Sequence, residues 1–238
     1  MKKNKQIIIE FNGFSGSGKT TTSLQLINEL KLSNLNVWSF SDFITNEKKP
    51  NIYRLMKALK NVPLSITLQL VRLTLSQKSF SKKLLEMFLA CFYIFEKYIL
   101  LKTNTPDFLD FLVVDQGIIQ GIISIFHTNT SVTQKQKKII KKILNYFSLN
   151  NNLLIINSRC DIQLTINRIK IRSGSGGRFD SMNEMELKEN LLKQEILFKL
   201  FRNILNELEF DQIDIKMDDS PKKNSYIIAN AAEKMFNS

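Results

Sequence analysis

Cysteine is nearly absent from this 238-residue chain, and the two it has, Cys91 and Cys160, lie far apart with no CxxC neighbour. That excludes a disulfide framework and a cysteine-built zinc site, and it fits a reducing, cytoplasmic setting. Histidine occurs once, as His127 in 126-FHTNT-130, among polar residues that suit a surface loop better than a catalytic centre. No apolar run reaches the roughly 20 residues that a membrane span needs. The most apolar stretch, 84-LLEMFLACFYIFEKYILL-101, is interrupted by Glu86, Glu96 and Lys97 and reads as a buried helix. The amino end, MKKNKQIIIEFNG, is basic and then apolar, but its apolar part is too short for a signal peptide. Acids are scarce as well: 22 Asp and Glu stand against 34 Lys and Arg, a formal charge of +12. Such an excess favours anionic partners, from phosphate-bearing small molecules to nucleic acids and acidic lipids. Here it is mostly lysine scattered among Asn and Ile, with no RNP, zinc-finger or basic-zipper pattern, so no nucleic-acid partner is expected.

What remains is the composition of an ordinary globular protein, 43% hydrophobic and 24% charged, long enough to bury a core unaided. Short Ile- and Val-rich runs at 6–11, 35–40, 111–115, 152–157 and 211–217 predict strands. Between them, helical spacing covers 19–32, 50–103, 117–127, 131–148, 184–208 and 221–237. Continuous apolar strands alternating with helices predict an α/β fold, a parallel five-stranded sheet with helices on both faces. With no repeat and no long linker, one domain over 1–238 is expected. Its odd stretch is 173-SGSGG-177, a flexible loop inside a helical region.

Between the first strand and first helix stands 13-GFSGSGKT-20, which satisfies the phosphate-loop pattern GxxxxGK[ST]. Glycines permit positive φ and leave the backbone bare, so several N–H groups can face one phosphate. The helix beginning near Gly18 adds its positive dipole end. Lys19 is expected to reach the β- and γ-phosphates of ATP and Thr20 to ligate Mg²⁺. The loop contacts expected for the nucleotide are Gly13, Ser15, Gly16, Ser17, Gly18, Lys19, Thr20 and Thr21.

Other motifs narrow the class. A GTPase needs N-K-x-D after a late strand, but in 157-NSRCD-161 Asn157 and Asp161 are one residue too far apart. Hydrolytic motors and pumps end a strand in Asp-Glu, whereas FLVVD ends in Asp115 followed by Gln116. The metal-side carboxylate is therefore present without the water-activating glutamate, although Gln116 can still orient a water. Enzymes that transfer the phosphoryl group to an acceptor instead exclude water with a lid that carries arginines. The stretch 168-RIKIRSGSGGRFD-180 has that character, with Arg168 and Arg172 on one helical face and Arg178 beyond the glycines.

In this order, IEFNGFSGSGKTT, FLVVDQG, LLIINSRCDIQLTINRIKIR…RFD and IDIKMDDSPKKNSYIIANAAEKM resemble the thymidylate kinase-like branch of phosphate-loop nucleoside and nucleotide kinases over nearly the whole length. The resemblance implies a three-layer phosphate-loop fold with a small arginine lid at about 160–182 and an ATP-dependent small-molecule kinase using Mg²⁺ held by Thr20 and Asp115. Lys19 and the lid arginines would carry developing charge. The family's strand ends in Asp-Arg where this chain has Asp115-Gln116, which puts a thymidylate acceptor in doubt. The nearest match to a second acceptor-side arginine is Lys97. Asp42 stands where related nucleoside kinases keep the base that deprotonates an acceptor hydroxyl. A nucleotide, nucleoside or sugar-like acceptor therefore stays open, as does a homodimer. The rival reading is an ATP-hydrolysing regulator without an acceptor.

Overall fold

The computed structural model describes residues 6–40, 58–77, 82–104, 108–126, 129–148, 152–172 and 179–237. Five strands, β1 (Ile7–Gly13), β2 (Val37–Ser39), β3 (Phe111–Val114), β4 (Asn152–Arg159) and β5 (Asp211–Lys216), form one sheet in the order β2-β3-β1-β4-β5. Every pairing is parallel, and the register places Ile9 between Val113 and Leu154. The alternation of apolar runs and helices required this arrangement, because parallel strands need helical crossovers that cover both faces.

The described helices are α1 (Lys19–Leu32), α2 (Leu64–Leu75), α3 (Lys82–Asn104), α4 (Ile118–Ile125), α5 (Gln134–Ser148), α6 (Ile162–Ile171), α7 (Glu184–Glu207) and α8 (Pro221–Asn237). Ile7, Ile9, Phe11, Val113 and Ile156 point to one face and pack with Leu26 and Leu30 of α1 and Ile228 and Ala232 of α8. Ile8, Leu112, Val114 and Ile155 point to the other face, against Leu70 of α2, Phe95 of α3, Ile122 of α4, Ile143 of α5 and Phe201 of α7. Period-2 alternation therefore feeds two cores from one strand, and β1 is buried at all seven positions. Each fully buried large side chain contributes about 1.5–3 kcal/mol.

The expected helical stretch 50–103 is divided. Pro63 caps the start of α2, and after Leu75 the Ser76 hydroxyl donates back to the Leu73 carbonyl at 2.6 Å. Apolar spacing alone runs through such a break, because both helices face the same core. The second strand is three residues long rather than six.

From β1 the chain crosses to β2, returns through β3, and only then reaches β4 on the far side of β1. The strand order thus reverses at β1. In an open α/β sheet the crevice at the carboxyl ends of the strands, where the order reverses, is where ligands bind. The loop 13–20 starts at that end of β1. None of the described helices is long and apolar enough to cross a membrane.

Candidate functional site

The loop gets its shape from two close approaches. Gly13, at φ +156°, lies so near β4 that a Cβ would stand 2.5 Å from the Ser158 carbonyl oxygen. Gly18, at φ +99°, occupies the left-handed region and starts α1 without a side-chain cap. Two other helix starts are closed by their N-cap side chains: Asp161 accepts from Leu164 N at 3.0 Å ahead of α6, and Asn183 forms a reciprocal box with Glu186 ahead of α7. The first amides of α1 thus have neither a capping side chain nor an acid in the first turn. An uncapped helix start behind a glycine loop is an anion site.

Lys19 folds back over this loop. Its Nζ donates to the carbonyls of Gly13 at 2.8 Å and Phe14 at 2.5 Å, and the residue is only 6% exposed. Burial lowers its pKa to about 8; Asp115 pulls it upward and Arg172 adds a smaller push downward. The ammonium is therefore desolvated, largely charged at neutral pH and held where a phosphate chain would lie.

Thr20 and Asp115 meet: the threonine hydroxyl donates to the Asp115 carboxylate at 2.9 Å. Gly117, not Asp115, is the N-cap of α4, so the carboxylate is free of the capping role its position also suggests. A hydroxyl and a carboxylate side by side are hard oxygen donors, the set that suits Mg²⁺ together with phosphate oxygens and water. The donor set fits the metal that the motif implies.

Around these groups lies a cavity of about 610 Å³ lined by Ser15, Gly16, Gly18, Lys19, Thr20, Thr21, Gln116, Arg168, Arg172, Met217 and Asp219 among others. Ser17 is fully buried, with an unpartnered hydroxyl, and is not among the residues that line the cavity. The two described arginines of the stretch 168–180 differ. Arg168 donates to the Ser17 carbonyl at 3.0 Å, the Met217 carbonyl at 3.0 Å and Cys160 Sγ at 3.3 Å. It therefore ties α6 to the loop and to the end of β5. Arg172 is 41% exposed in its side chain and reaches the Ser15 hydroxyl at 3.4 Å and Asp180 at 3.1 Å. Ile166 and Ile169 of α6 pack with Phe14, so α6 rests on the loop.

Asp42, Arg178 and His127 lie outside the described residues. Lys97 is half-buried on α3, and Phe92 of the same helix is fully buried against Phe88. Ser220 accepts from Lys223 N at 3.3 Å and caps α8, and Asp219 and Pro221 line the cavity.

One group was not singled out from the sequence. Glu10 is a carboxylate inside β1, fully buried. It accepts from Tyr98 Oη at 2.8 Å and from Ile119 N at 2.8 Å. Burial raises its pKa to about 7, opposed by Tyr98 and by the amides of Ile119, Ile118 and Gln120. Burial and the Glu10 charge in turn push the Tyr98 hydroxyl well up. Glu10 thus caps α4 from within the sheet, and Gly117 makes room: a Cβ there would stand 2.1 Å from Glu10 Cδ. Gln120, in the same first turn, accepts from Gly13 N at 3.3 Å. The signal was an acid in the otherwise apolar run IIIEF.

Comparison with family models and with curated protein sequences finds no match. Among solved structures, the chain is similar to a deoxyadenosine kinase from M. mycoides with bound dATP, at TM-score 0.52 and 17% identity, covering 95% of this chain and 99% of that one. The same enzyme with bound dCTP matches at TM-score 0.47 and 18% identity over 95% and 99%. The YorR protein from Bacillus subtilis, in complex with phosphorylated GDP, matches at 0.46 and 11% over 97% and 98%. The dATP-bound structure shares the fold, a parallel α/β sandwich.

Proposed function

We propose that the chain is an ATP-dependent small-molecule kinase that transfers the γ-phosphoryl group to a nucleoside, nucleotide or sugar-like acceptor. The observation that carries this reading is the meeting of an uncapped α1 start, a buried Lys19 and the Thr20–Asp115 pair around one cavity. The deoxyadenosine kinase with the same fold supports it.

The loop amides and Lys19 bind the phosphate chain and neutralise its charge. Thr20 and Asp115 would hold Mg²⁺, which would supply positive charge to offset the negative charge that develops in the transfer. Arg172 reaches from α6 toward the loop, and with Arg178 it is the lid residue that approaches the transferred group; Arg168 fixes the base of the lid. The acceptor oxygen forms the new bond to the γ-phosphorus while the bond to the β-phosphate oxygen breaks, and ADP leaves. Asp42 takes the proton of an acceptor hydroxyl. Such transfer is largely positioning and charge stabilisation.

Gln116 lines the cavity beside Asp115 and favours a second reading, an ATP-hydrolysing regulator without an acceptor. ADP formation measured with a panel of nucleosides, nucleoside monophosphates and sugars separates the two. The kinase reading expects one acceptor class to raise turnover at least tenfold and to appear phosphorylated. Steady hydrolysis that no acceptor stimulates would overturn it.

A further inference from the structure

Helices α2 and α5 lie side by side on the sheet face away from α1 and α8, and the apolar sides of both enter the same core. Between them, on the outer side, runs a groove of about 610 Å³ lined by Arg72, Leu75, Lys135, Lys138, Ile139 and Lys142, with Gln69 and Ser76 completing it. No acid lines it. It shares no lining residue with the cavity at the phosphate loop.

The cations here are unlike their neighbours. Lys135, Lys138 and Lys142 follow at intervals of three and four, so one stripe of α5 presents all three, and all are exposed. On the other flank of that helix, Lys137 and Lys141 each meet Glu207 at 2.6 Å. Arginine shows the same contrast. Arg159 and Arg202 pair with Asp214, Arg172 pairs with Asp180, and Arg168 is bonded to the loop. Among the described arginines, Arg72 alone makes no side-chain hydrogen bond or ion pair, and the side chains of Lys135, Lys138 and Lys142 make none either. Four like charges around one concavity repel each other, and an anion between them removes that repulsion.

We propose that this groove is a second anion site, which binds the phosphate chain of a nucleoside triphosphate. The lysine stripe extends over seven residue steps, from Lys135 to Lys142, about 10 Å along the helix, so it suits several phosphates in a row better than one isolated anion. The volume lies within the roughly 300–1,000 Å³ of small-ligand pockets. Two packed helices wall the groove on both sides. Leu75, 67% exposed at its edge, offers an apolar surface to the nucleoside. This site does not depend on the phosphotransfer reading.

The test is calorimetric titration of the full chain carrying Lys19→Ala, which weakens the loop's own phosphate site, with inorganic tripolyphosphate and with ATP. One equivalent of each is expected to bind, with affinity falling as salt rises. Arg72→Glu combined with Lys138→Glu should weaken that binding at least tenfold without moving Tm, since both side chains are at the surface. Equal affinities would attribute binding to the phosphate chain alone; tighter ATP binding would add the nucleoside, and either result supports the site. Should Lys19→Ala fold poorly, the natural chain is titrated instead, and its two equivalents should fall to one on charge reversal. Absence of a second equivalent, or binding untouched by the charge reversal, overturns the proposal. So does a single-stranded 12-mer that binds this groove more tightly than ATP, which would make it a nucleic-acid surface.

Discussion

The Thr20 hydroxyl donates to the Asp115 carboxylate across 2.9 Å, joining the first turn of α1 to the carboxyl end of β3. Two segments far apart in sequence are thereby held as one oxygen-lined corner beside Lys19. Because the bond uses only part of the carboxylate's accepting capacity, the corner can also serve a metal or its waters.

Asp115→Asn keeps an acceptor for Thr20 but removes the charge. The Mg²⁺ concentration needed for half-maximal turnover should rise about 10- to 100-fold, the usual range for losing a partner of a metal site. Titrating MgCl₂ at fixed ATP checks this, and an unchanged requirement would place the metal elsewhere.

Lys19→Ala removes the ammonium that bridges the Gly13 and Phe14 carbonyls. Its kcat should fall by about 10²–10³, as for the loss of one group aimed at developing charge. Unchanged turnover in a coupled ADP assay would contradict the proposed role of the loop.

The arginines of α6 should separate stability from catalysis. Arg168→Ala breaks three bonds, two of them to buried carbonyls, and is expected to cost about 3 kcal/mol in urea unfolding. Arg172→Ala removes one ion pair, 41% exposed at the arginine and 8% exposed at Asp180, and should cost less than Arg168→Ala, about 1–2 kcal/mol. Its kcat should drop on the order of 10³-fold, the effect of an arginine brought onto a transferring phosphoryl group. Equal behaviour of the two variants would contradict this division.

Glu10 makes stability depend on pH. Its folded pKa of about 7 lies above the 4.5 of the unfolded chain, so the native state holds the extra proton between those values. That contribution is complete below pH 4.5 and is lost as pH rises through 7. The shift corresponds to about 3 kcal/mol. Glu10→Gln keeps the shape without the titration. Its stability relative to the natural chain should therefore grow between pH 5 and pH 8, as read from urea midpoints at both values.

The sheet was legible because strands covered on both faces leave uninterrupted apolar runs, and the phosphate loop because so few residue types can line a phosphate. The division at Pro63 and Ser76 was not, since helical spacing continues across it toward a shared core. Nor was the separation of Arg168 from Arg172. Their spacing of four places both on one side of a helix, but only the folded chain brings the Ser17 and Met217 carbonyls to one of them. Glu10 passed as part of a strand because nothing near it in sequence announces Tyr98 or the amide of Ile119.

The contact between Glu10 and Gly117 carries an evolutionary constraint. A side chain at 117 would have to displace the Glu10 carboxylate from the amide of Ile119. These positions should therefore change together or not at all. The coupled pair offers a mark by which distant cousins of this chain can be sorted after ordinary resemblance has eroded.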